Sequence, residues 1–82
     1  MLKAKVIDVA ARALGPYLGE NMARAATRSH CEKLGLADGE VTPEQVGALV
    51  ERLSHGLSVF VGREKTAGVI QELRKALAEN AT

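Results

Sequence analysis

At 82 residues the chain has room for one hydrophobic core and no second domain. Its single cysteine, Cys31, excludes a disulfide framework, and with only His30 and His55 beside it the chain cannot supply the four Cys and His ligands of a structural zinc site. The net charge of +1 removes the bulk-charge argument for nucleic acid, and no apolar run approaches the ~20 residues that a membrane span needs.

Residues 2–14 repeat apolar positions at Leu2, Val6, Val9, Ala10, Ala13 and Leu14, the spacing of one helix face. Gly15-Pro16 is expected to end this helix, because glycine tolerates a left-handed exit and proline removes a ladder donor. A second helix follows over 16–34. Leu18, Met22, Ala25, Ala26 and Ser29 fall on its apolar face, with Glu20, Arg24, Thr27, Arg28 and Cys31 opposite. Gly35 then suits the C′ position of a Schellman stop, with Leu36 making its apolar contact.

Val41-Thr42-Pro43-Glu44-Gln45-Val46 carries the most complete local instruction in the chain. Thr42 suits an N-cap, Pro43 the N1 position, and Gln45 the N3 position of a capping box. Val41 and Val46 are spaced for a hydrophobic staple. The third helix is read over 43–55 from the seam Val46, Leu49, Val50 and Leu53, with Gly56 closing it. Residues 57–61, Leu-Ser-Val-Phe-Val, read as a short apolar connector or a helical turn, with a strand pairing across a homodimer as the exception. The last helix covers 62–79 on the seam Thr66, Val69, Ile70, Leu73, Ala76 and Leu77. The whole is an all-α bundle of four helices.

No constellation in this sequence carries an obvious reaction. His30 and Cys31 are adjacent, but neighbours on a helix point ~100° apart, which poorly places the imidazole to deprotonate the thiol. Cys31 is read as an inert thiol on the polar face. The Asp38-Gly39-Glu40 turn has a faint likeness to an EF-hand loop. Leu34 and Leu36 stand where calcium needs carboxylates, and Gln45 stands at the twelfth position. Gly62-Arg63-Glu64-Lys65-Thr66 lacks the spacing of a phosphate-binding loop, and Glu64 would repel an anion there. No cofactor and no metal are expected.

Charge is segregated along the chain. Lys3, Lys5, Arg12, Arg24, Arg28 and Lys33 against Asp8, Glu20 and Glu32 leave +3 over residues 1–34, while residues 35–57 carry −3. Opposed halves favour self-association or a charged partner. A small core built from Ala, Val and Leu is readily completed by a second chain. Tyr17 and Phe60 are the only aromatics; either becomes an interface anchor if exposed. The sequence therefore points to a non-enzymatic protein–protein interaction or regulatory module, an adaptor, expected to be a homodimer or other homo-oligomer. Its candidate interface is Tyr17, Val59, Phe60 and Val61. The alternative is a weak, non-specific DNA- or RNA-binding regulator that grips phosphates through Lys3, Lys5, Arg12, Arg24 and Arg28. With no apolar leader segment at the start, a reduced cytoplasmic setting is expected.

Overall fold

A computed structural model describes residues 1–80. Four helices account for most of them: α1 (Lys3–Leu18), α2 (Glu20–Lys33), α3 (Pro43–Val61) and α4 (Arg63–Glu79). They pack in a ring in which α1 touches α2 and α4, and α3 touches α4 and α2. One core fills the centre, with Leu14, Leu49 and Leu73 its largest fully buried side chains. Among the described residues no helix is long and apolar enough to cross a membrane.

Two expected breaks are not breaks. α1 runs through Gly15-Pro16 and stops at Gly19. The clash that keeps a pre-proline residue out of the helical region involves that residue's Cβ, which Gly15 lacks. With the helix ending two residues after Pro16, the missing donor also weakens only its last turn. α3 likewise passes through Gly56 and continues to Val61, so residues 57–61 are neither connector nor strand. Leu57 extends the buried seam of Leu49, Val50 and Leu53 by one more turn. Ser58 caps nothing ahead of it; its hydroxyl donates back to the His55 carbonyl at 2.8 Å.

The real corners are single glycines. Gly19 (φ +86°, ψ 141°) ends α1 and starts α2, and Gly62 (φ +87°, ψ 162°) does the same between α3 and α4. Both sit in a backbone region essentially reserved for glycine. Each donates its amide to the helix behind, to Gly15 and Ser58, and offers its carbonyl to the helix ahead, to the Ala23 and Thr66 amides.

The face assigned to α2 also needs correction. The buried stripe is Ala23, Thr27 and Cys31, at i, i+4 and i+8, while Met22 is half exposed and Ala25 and Ser29 face solvent. Thr27 enters the core because its hydroxyl is satisfied within the helix, donating to the Ala23 carbonyl at 2.7 Å. Cys31 enters as a small, soft apolar side chain.

The long connection between the two hairpins forms as the local chemistry dictates. Gly35 (φ +67°) donates to Glu32 O and Leu36 to Cys31 O, the two bonds of a Schellman stop, and Leu36 is buried. Thr42 Oγ1 accepts from the Gln45 amide at 3.2 Å while Gln45 Oε1 accepts from the Thr42 amide at 2.9 Å, closing the capping box. The connection is also tied to the chain's start: Lys3 N donates to Gly39 O and Val41 N to Met1 O. Lys3 Nζ donates to the Leu36 carbonyl at 3.2 Å and approaches Asp38 at 3.4 Å.

Candidate interaction surface

Continuation of α3 past Gly56 is what creates the surface. At ~100° per residue Val61 returns beside Leu57 and is half-buried, Phe60 returns above Leu53 in the last turn of the helix, and Val59 points away from the core. Val59 is accordingly 90% exposed and Phe60 61%. The charged first turn of α4, Arg63, Glu64 and Lys65, follows one residue later and is solvent-facing. An apolar pair at a helix end with charge beside it has the composition of a small interface core and rim.

Of the four residues expected at an interface, Val59, Phe60 and Val61 share this corner and Tyr17 does not. Tyr17 lies near the end of α1 and packs on the core, and its hydroxyl donates to Glu72 Oε2 on α4 at 3.3 Å. The Glu72 carboxylate, with some burial, pushes the phenol above its ordinary pKa.

The basic residues are divided. Lys3, Arg24 and Arg28 line one polar groove between α1 and α2, together with Glu32 and Asp38, whereas Lys5 and Arg12 lie outside its lining. Arg24 bridges Asp8 at 3.0 Å and Glu20 at 3.8 Å, and Arg12 reaches the other oxygen of Asp8 at 3.2 Å. Lys3 is spent on Leu36 and Asp38. Much of the basic character expected of the first two helices is thus met within the fold.

His30 and Cys31 diverge. The imidazole faces α3, where Arg52 Nε donates to its Nδ1 at 3.4 Å and the ring packs beside Gly56. Partial burial, then the Arg52 and Lys33 cations, hold His30 below its ordinary pKa. Cys31 is fully buried, which corrects its expected place on the polar face. Burial raises its thiol pKa, Lys3 opposes the rise and Glu32 adds to it. A thiol held protonated and out of solvent is a poor nucleophile.

Sequence reasoning missed the contact of His30 with Arg52 because it joins two helices across 22 positions. The fold and this corner together define a small all-α bundle with an exposed apolar helix end. Comparison with known protein families, with curated proteins and with solved structures finds no match to this chain.

Proposed function

We propose that the chain is a non-enzymatic protein-interaction module that associates with a second copy of itself through the end of α3. The observation that carries this reading is the exposure of Val59 and Phe60 side by side, one of them among only two aromatics in the chain. An exposed aromatic side chain is a typical interface residue, and Val59 adds apolar area beside it with little conformational freedom to lose on docking. Charge supports a second copy as the occupant. Among the described residues, Lys5, Arg28 and Lys33 of the basic region and Glu44 and Glu51 of the acidic one stand outside the internal ion pairs and offer complementary charges to a second copy.

Sedimentation analysis across micromolar to millimolar concentrations tests it. The wild-type mass should rise with concentration, and Phe60→Asp should remain monomeric with its melting temperature unchanged. A wild-type chain that stays monomeric throughout would overturn self-association.

A second reading, weak nucleic-acid contact, draws on the convergence of Lys3, Arg24 and Arg28 on one groove. The carboxylates of Glu32 and Asp38 in the same groove weigh against it, because they repel phosphates. Retention on a nucleic-acid column that disappears between low and moderate salt, and with Arg28→Ala, would favour it.

A further inference from the structure

The other end of α3 holds an open groove of about 340 Å³. Val46, Gly47 and Val50 of α3 and Leu77 and Ala78 of α4 line it, and Arg74 is the one charged side chain among its lining residues. Three observations bear on what it takes. The lining is otherwise apolar, and the volume lies at the low end of small-molecule sites. Gly47 sits inside a helix, where glycine is less stable than alanine. Yet a Cβ at Gly47 would meet nothing within 4 Å, so no neighbour in the fold demands its absence, and its effect is to widen the groove. Arg74, like Arg28, Arg52 and Arg63, makes no ion pair within 4 Å among the described residues, which leaves its guanidinium available to an anion.

We propose that this groove binds a medium-chain carboxylate, its hydrocarbon tail between α3 and α4 and its carboxylate on the Arg74 guanidinium. A planar fork of donors matches a carboxylate's two oxygens. Pro43 brings the positive end of the α3 dipole to the groove, the C-terminal end of α4 contributes an opposing partial charge, and the ammonium of Met1 at the lining is already paired with Glu40 at 2.7 Å, so the guanidinium decides the preference for an anion. The site is independent of the Val59–Phe60 corner: Val46 and Val59 are about 20 Å apart along the α3 axis at 1.5 Å per residue.

Octanoate, titrated below its micelle concentration into labelled protein and followed by amide chemical shifts, is the test. Saturable shifts centred on Val46, Gly47, Val50 and Leu77 are expected, with a melting temperature that climbs with octanoate. Arg74→Gln should weaken binding about tenfold, the scale of one charge-assisted hydrogen bond. Octan-1-ol should bind the wild type more weakly by a similar factor. Gly47→Leu should fill the groove and abolish binding while the circular dichroism stays helical; Ala78→Phe, at an exposed position, fills it from the other wall should Gly47→Leu not fold. Equal affinity for octanol and octanoate, unchanged affinity in Arg74→Gln or in a folded filling variant, or shifts centred on Val59 and Phe60, would each overturn the proposal.

Discussion

Cys31 and His30 adjoin in the chain and occupy opposite environments in the fold, and each environment has a measurable consequence. Cys31→Ser puts a hydroxyl where the sulfur is fully enclosed. Burying a hydroxyl costs about 1–3 kcal/mol in proteins, less whatever it recovers from a backbone carbonyl. Urea unfolding should register that loss, and a thiol reagent should react with the native protein only as fast as the core opens. For His30 the sign follows from proton binding. The unfolded chain takes up a proton near pH 6.5, and the folded chain resists it because of burial and the Arg52 and Lys33 cations. The contribution is therefore present above that pH and is lost as the pH falls below it. Melting temperatures from pH 8 to 5 should decline on the acid side, and His30→Gln should flatten the decline.

At the scale of the element, the signals that could be read directly were those settled within a few residues. Thr42, Pro43 and Gln45 fix the start of α3 through bonds spanning three positions, and Gly35-Leu36 fix the end of α2 in the same way. Thr42→Ala should cost about 1 kcal/mol by loss of the cap, a fall of roughly 4–8 °C in melting temperature for a domain of this size. Glycine misled because it does different work at different places. Gly15 relieves a proline and Gly56 lies inside α3, whereas Gly19 and Gly62 turn the chain between helices and Gly35 and Gly39 turn it within the α2–α3 connection. Gly62→Ala should cost about 1–3 kcal/mol from backbone strain alone, whereas Gly47→Ala should stabilise by about 0.5–1 kcal/mol because its helical backbone suits alanine. The two variants, unfolded side by side in urea, should shift in opposite directions. The face of α2 was illegible for another reason. Ala23, Ala25 and Ala26 are identical in type, so the choice of stripe fell to Thr27 and Cys31, whose burial depends on a back-bonded hydroxyl and on tertiary contact.

For the molecule as a whole, the all-α class was legible because four apolar seams of helical period run through the chain. Their meeting was not. The groove of Gly47 and Arg74 and the contact of His30 with Arg52 join segments distant in sequence, and no local pattern encodes them. The α3 corner was half legible: the scarcity of aromatics singled out Phe60, but only the unbroken run of α3 set it beside Val59 in solvent. Leu49 and Leu73, each fully enclosed on facing helices, hold the centre. Either one changed to Ala should cost about 2–5 kcal/mol. With only roughly 60–65% of its unfolded surface buried, so short a chain has little reserve, and chemical denaturation should find both variants largely unfolded.

The one-residue joints at Gly19 and Gly62 bear finally on how fast this chain finds its fold. Each closes a helical hairpin with almost no loop to order, so α1 meets α2, and α3 meets α4, at minimal chain-closure entropy. Only the stretch between Lys33 and Pro43 must bring distant partners together. Topologies dominated by such near-neighbour encounters refold in microseconds to milliseconds. A substitution at either joint should therefore slow refolding to the extent that its hairpin is already built in the transition state.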